Sequence, residues 1–237
     1  MPALKPETRA LLLKVGVAVL TNGLLKRGLR TQFLHGIAPV APGMPAMAGP
    51  AFTLRFIPAR EDIDTLEALR RPDNVQRRAL EACPPGGVLV IDTGNNARSA
   101  SAGDLMIGRL KFRGCAGIVT DGGFRDIAGV IQVGLPAYQR RASPPATPIG
   151  LHSVDMDVPI GCAGVAVYPG DIVVGDNDGV VVLPAGIADE LATEALETAT
   201  YDEFAEQRIA AGRSILDIFP PADDVLREYQ EWKNSRG

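Results

Sequence analysis

Histidine is almost missing from this chain: there are two, His35 and His152, far apart in sequence. A histidine-rich metal centre is therefore excluded. Cysteine is scarcely commoner. Cys83, Cys115 and Cys162 are an odd, scattered set without a C-x-x-C pair. They read as reduced core thiols, not as a disulfide frame or a zinc site. The chain also lacks a G-x-S-x-G elbow, a cysteine matched to a histidine, a dinucleotide fingerprint and a P-loop; the chemistry must rest on metal and arginine, without a covalent intermediate. Nor is there an excess of positive charge. Lys and Arg number 24 against 28 Asp and Glu, a net charge of −4 that offers no footprint for nucleic acid.

A long uninterrupted apolar run is missing too. The most apolar stretch, ALLLKVGVAVLTNGLL, is broken by Lys14 and Asn22 and is short for a membrane span. It reads as one amphipathic helix within residues 7–29, ending near Gly28, with Leu12, Val15, Val19, Leu20 and Leu24 on its apolar face. The expectation is a soluble, cytoplasmic protein with no membrane partner.

What is present is ample for a sizeable core: 237 residues, 46% of them apolar. Residues 32–49, rich in Pro, Gly and Ala, read as loop with short strands, and 51–58 as a half-buried strand. The charged run 60–82 reads as a solvated face. Gly87 to Asp92 is a buried strand leading into a polar loop, 93–98, where Asn95, Asn96 and Arg98 either touch substrate or are plain turn residues. Further strands are expected within 158–167 and 171–183, with Asp171, Asp176 and Asp178 as turn residues because they lack the spacing of a calcium loop. A long acidic helix runs from Pro184 to about Ala211.

The stretch from Ser99 to Asp126 organises the rest. Leu105, Met106, Ile107, Leu110 and Phe112 suit a buried helix that Gly103-Asp104 opens and Gly114 closes. Gly117 to Thr120 is a short strand, and Asp121-Gly122-Gly123 turns the chain into Phe124-Arg125-Asp126. A helix of about ten residues rises roughly 15 Å, and a strand of about five spans roughly 16 Å. The two nearly cancel, so Asp104 should lie beside Arg125 and Asp126. Two carboxylates, a guanidinium and free helix amides at one rim suit a 2-oxo acid and a hard divalent cation. The plainer alternative is a helix cap and a solvated ion pair.

Asp104, twenty intervening residues, then Arg125-Asp126 resembles the D-x20-R-D signature of the RraA-like superfamily. That superfamily holds class II 4-hydroxy-4-methyl-2-oxoglutarate/4-carboxy-4-hydroxy-2-oxoadipate aldolases and inhibitors of ribonuclease E activity. Asp73-Asn74, Ala79-Leu80 and Pro85 to Val90 are similar to its DN…AL…PGDVLV segment, and Tyr168 to Pro184 to its PGD…GD.DGVVVIP double strand. The resemblance covers about residues 8–215, leaving a tail, 216–237, on a single α/β domain.

The resemblance implies the swivelling β/β/α architecture, a central sheet flanked by helices, assembled as a homotrimer or hexamer with sites between subunits. It implies a metal-dependent pyruvate aldolase or oxaloacetate decarboxylase: Asp126, with Asp104, at Mg²⁺ or Mn²⁺; Arg125 on the carboxylate and keto oxygens and on the enolate charge; the amides of Leu105 and Met106 on the carboxylate; Asp104 orienting a water that carries the proton. Asn74 matches an asparagine that binds substrate, whereas Arg78 stands where some aldolases have histidine. Glu203, or else Asp202 or Glu206, would reach the neighbouring subunit's site. The tail, with Tyr229 and Trp232, would pack on a partner subunit. Two alternatives remain: a non-catalytic ring that regulates a ribonuclease, against which Asp104 argues because regulators lack that acid, and a metal-dependent hydrolase of a 2,4-dioxo acid.

Overall fold

The computed structural model describes residues 4–236. The apolar N-terminal stretch is not one helix. It forms α1 (Pro6–Val15) and α2 (Val17–Lys26), bent by 103° at Gly16. The cause lies far along the chain: Asp176 accepts a hydrogen bond from the Val17 N–H at 2.7 Å and caps α2. Gly16 turns the corner at φ +79°, and a Cβ there would stand 3.2 Å from the same carboxylate. Among the described residues no single helix is long and apolar enough to cross a membrane.

Onward from α2 the chain alternates. In order come β1 (Ala38–Pro39), β2 (Met47–Pro58), α3 (Val75–Ala82), β3 (Val88–Asp92) and β4 (Ala100–Ala102). Then follow α4 (Asp104–Phe112), β5 (Gly117–Thr120), β6 (Gly123–Phe124), α5 (Ile127–Val133), β7 (Ala137–Gln139) and β8 (Leu151–Met156). Two hairpins, β9 (Ile160–Cys162) with β10 (Val165–Val167) and β11 (Ile172–Asp176) with β12 (Gly179–Leu183), precede α6 (Ala188–Ala210), α7 (Ile215–Ile218) and α8 (Asp223–Asn234).

The main sheet has the order β1-β7-β5-β3-β2-β11-β12, with β8 added along the far end of β2. Strands β2, β3, β5 and β7 run parallel, which is why VLVID and GIVT are continuous apolar runs: both faces are covered. The twelve-residue β2 pairs with β11 through its first residues and with β3 and β8 through the rest. A bridge from Phe33 to Val181 brings the two ends of the sheet together, so it nearly closes on itself. One apolar cluster fills its inside, among them Val88, Val90, Val119, Val173 and Val182. A second lies under α3, α4 and α5, and a third under α1, α2 and the first half of α6. All three cysteines are free and buried. The central sheet flanked by helices is the architecture that the resemblance implied.

After Asp126 the chain enters α5 and only then β7; Asp126 and Gly134, at the two ends of α5, are both left-handed. The Pro-rich run after β7 is a packed strap. Ser143 N–H donates to the Phe124 carbonyl and its hydroxyl to Ala97, and the Pro145 carbonyl and Thr147 hydroxyl bond the two backbone groups of Ala100. Finally, the tail folds onto its own chain. Phe204 and Ala205 of α6 pack with Ile218, Val225 and Tyr229, and Tyr229 donates to Glu197 at 2.7 Å. Aromatic rings on α6 and α8 meet there, Phe204 against Trp232 among them.

Candidate functional site

Two parallel strand ends create the site. Short β4 lies beside β6, Ala102 opposite Phe124, and the Arg125 N–H donates to the Ala102 carbonyl at 3.1 Å. Each strand feeds a helix, β4 through Gly103 into α4 and β6 through Arg125-Asp126 into α5. The residues at the two crossings therefore stand side by side.

Gly103 is required for space, not for its backbone angles, which are extended. A Cβ there would come within 2.9 Å of Asp126 Oδ2 and 3.2 Å of Arg125 Nε. Gly129 in α5 does the same for the other acid: a Cβ would lie 2.5 Å from Asp104 Oδ2. Asp126 is left-handed, φ 57° and ψ 44°, a conformation that Asp tolerates better than most side chains. Arg125 Nε approaches Asp126 Oδ2 at 3.2 Å, with both side chains about half exposed. α4 is held by Ile107 and Leu110, both fully buried, each contributing roughly 1.5–3 kcal/mol. Leu105 and Phe112, expected in the buried face, are instead 86% and 81% exposed.

These groups line a cavity of about 190 Å³, walled also by Leu69, Gln76, Arg77, Met106 and Thr147. Gln76, 1% exposed, is fixed by donating to the Ser101 carbonyl at 2.6 Å. The first-turn amides of α4 lack partners inside the helix, and the helix start carries partial positive charge. The Leu105 N–H is taken by Asp104 Oδ1 at 2.7 Å, leaving Met106 as the expected amide with no such claim on it.

Asp104, Arg125, Asp126, Leu105 and Met106 are thus brought together, as their spacing predicts. Asn74 is not among them. It caps α3, accepting from the Arg77 N–H at 3.0 Å, and lines the adjoining cavity. Glu203 lies near the far end of α6, paired with Arg236 at 2.6 Å, and does not line this chain's pocket. Beside it, burial pushes the Asp202 carboxyl above its ordinary value. Asn95, Asn96 and Arg98 also stay outside the cavity. They belong to a turn around the fully buried Asp121, which accepts from the Thr93 hydroxyl and from the Thr93 and Asn95 amides. Sequence reasoning missed Gln76, Arg77 and Thr147; the arginine pair at 77–78 was the one available signal.

Among the described residues no cluster of three His, Cys, Asp or Glu side chains is placed to hold a cation. Two carboxylates at one open pocket, each lodged where a glycine leaves room, do fit Mg²⁺ or Mn²⁺, which keep several waters and take few protein ligands.

An α/β fold with an acid–arginine pocket at paired strand ends defines the class. The RraA-like family model, described as Aldolase/RraA, matches residues 17–182, and the chain belongs to that family. The structure of Streptomyces coelicolor RraAS2, described as an unusual member of the RNase ES inhibitor RraA protein family, is similar at a TM-score of 0.77 and 32% identity, covering 87% of this chain and 98% of that one. An uncharacterized protein from Pseudomonas syringae shares the fold at a TM-score of 0.79 and 24% identity, over 90% of this chain and 93% of its own. A Halalkalibacterium halodurans protein provisionally named 4-hydroxy-4-methyl-2-oxoglutarate aldolase is 38% identical over 136 residues, 56% of this chain and 63% of that relative. The match thus spans less than two thirds of the relative's length.

Proposed function

We propose that this chain is a divalent-cation-dependent lyase that breaks a C–C bond beside the keto group of a 2-oxo acid and releases pyruvate. The observation that carries this reading is the meeting of Asp104, Arg125 and Asp126 at the start of α4. The aldolase name of the H. halodurans relative supports it.

Arg125 grips the substrate carboxylate and keto oxygen through its planar fork, and faces the negative charge that develops as the bond breaks. The Met106 N–H and the helix start receive the carboxylate. Asp126 and Asp104 would hold Mg²⁺ or Mn²⁺, whose chemistry there is to polarise the keto oxygen. Asp104 also orients a water that takes the proton from the substrate's 4-hydroxyl as the C–C bond breaks, leaving that fragment as a carbonyl, and returns it to the enolate carbon of pyruvate. The chain would act as a trimer or hexamer, and for Glu203 to reach a neighbouring copy's pocket its pair with Arg236 must open.

A panel of 4-hydroxy-2-oxo acids, 2,4-dioxo acids and oxaloacetate, with pyruvate read by a coupled dehydrogenase, tests this. Pyruvate should form from at least one with Mg²⁺ or Mn²⁺ present, and Asp104→Asn should abolish it. Silence across the panel overturns the reading. It would favour a ribonuclease-regulating ring instead, the reading to which the likeness to RraAS2 lends support.

A further inference from the structure

Two of the three cysteines meet. Cys83 caps the end of α3, and Cys115 lies just before β5. Cys115 Sγ stands 3.8 Å from the Cys83 carbonyl and 3.7 Å from that of Pro84, and the Cys83 thiol donates to it. Both side chains belong to the core under α3, α4 and α5, whereas Cys162 sits in the other core, inside the sheet. The Arg113 guanidinium reaches the pair: Nη2 donates to the Cys83 carbonyl at 3.4 Å, and its buried Nε has no partner among the described residues. Its charge is poorly matched, because Glu81 is 3.5 Å away and holds Arg109 with both oxygens, at 2.8 and 2.9 Å.

The two thiols are unequal. Cys115 is 7% exposed and Cys83 is sealed. The hydrogen bond from Cys83, with the Arg113 charge behind it, holds the Cys115 thiol below its ordinary range. Donating that bond, together with burial, pushes Cys83 up. A reactive thiol beside a resolving one suits a small oxidant. We propose that Cys83 and Cys115 form a peroxide-sensitive dithiol, whose disulfide ties the end of α3 to the start of β5. Cys115, as thiolate, attacks one peroxide oxygen; the O–O bond breaks, the other oxygen leaves as water, and Cys115 becomes a sulfenic acid. Cys83 sulfur then attacks the Cys115 sulfur and displaces the hydroxyl as a second water. The two thiols lose two electrons, and the peroxide gains them. The far end of α3 supplies Gln76 and Arg77 to the Arg125 pocket, so the tie braces one wall of that pocket, whatever reaction it performs.

Hydrogen peroxide, in slight excess over the reduced whole chain, should remove two of the three alkylatable thiols and join tryptic peptides 79–98 and 114–125. Dithiothreitol should restore both thiols. The tie should raise Tm by roughly 5–10 °C, since it closes a loop in the unfolded chain. Cys83→Ala should halt the reaction at a sulfenic acid on Cys115, trapped by dimedone. Cys115→Ala should leave Cys83 slower to oxidise by about tenfold or more. A crosslink between two chains, or one to Cys162, overturns the pairing. So does oxidation of Cys115 to the sulfinic acid while Cys83 stays free. The peptide map is read on the unaltered chain, so it decides the matter even where a variant fails to fold.

Discussion

Replacing Gly129 by alanine separates what α5 needs from what the pocket needs. Inside a helix alanine is favoured over glycine by about 0.8–1.0 kcal/mol. The added Cβ, however, would lie 2.8 Å from Asp104 Cβ and 2.5 Å from its Oδ2. Turning the carboxylate relieves only the second contact; carbon atoms settle at roughly 3.5–4.0 Å, so α4 and α5 must part by roughly 1 Å. Overpacking of this kind costs about 1–3 kcal/mol. The net loss is then about 0–2 kcal/mol, a fall in Tm of at most about 8 °C for a chain of this size. Activity should suffer more, since a displacement of about 1 Å in a catalytic group costs on the order of a hundredfold. Thermal melts by circular dichroism and the coupled pyruvate assay read the two effects separately. A variant that melts higher than wild type and turns over equally fast would show that Asp104 need not stand where the structure puts it.

Other outcomes follow from the same pocket. Arg125→Lys keeps the charge but loses the planar fork, and turnover should fall by roughly two to three orders of magnitude, read as kcat in the coupled assay. Exhaustive EDTA should abolish activity and Mg²⁺ or Mn²⁺ restore it; activity surviving chelation, or stoichiometric tightly bound zinc by elemental analysis, would refute the two-carboxylate site. Light scattering should report three or six times the chain's mass, and a clean monomer at micromolar concentration would remove the role proposed for Glu203.

Most strands were legible because each is a short apolar run between turn residues, as in β3, β5, β11 and β12. The proximity of Asp104 to Arg125 was legible from helix and strand lengths, although the local fastener is the β4–β6 ladder, too short to leave a pattern. What could not be read depends on distant partners. The break at Gly16 is set by a carboxylate that holds Val17 from 159 positions away, and the strap at 143–147 is held by bonds to backbone, which carry no side-chain periodicity. Tyr229 and Trp232 announce an apolar face in the tail but not what it meets, which within this chain is α6. His152 gives no signal in the sequence beyond its rarity; its pairing with Asp64 joins an edge strand to an irregular segment with no periodicity of its own.

The left-handed turn at Asp126 bears on how such a site is kept through evolution. Asp tolerates that conformation better than most side chains, but glycine adopts it with no steric cost at all. A change to glycine would therefore steady the fold while deleting an acid proposed to hold the cation. On folding energy alone, then, glycine is the easier occupant of residue 126, and the acid there earns nothing from the fold. Drift from a catalyst to a bare scaffold of the same shape runs downhill in folding energy, and a single codon is enough to begin it.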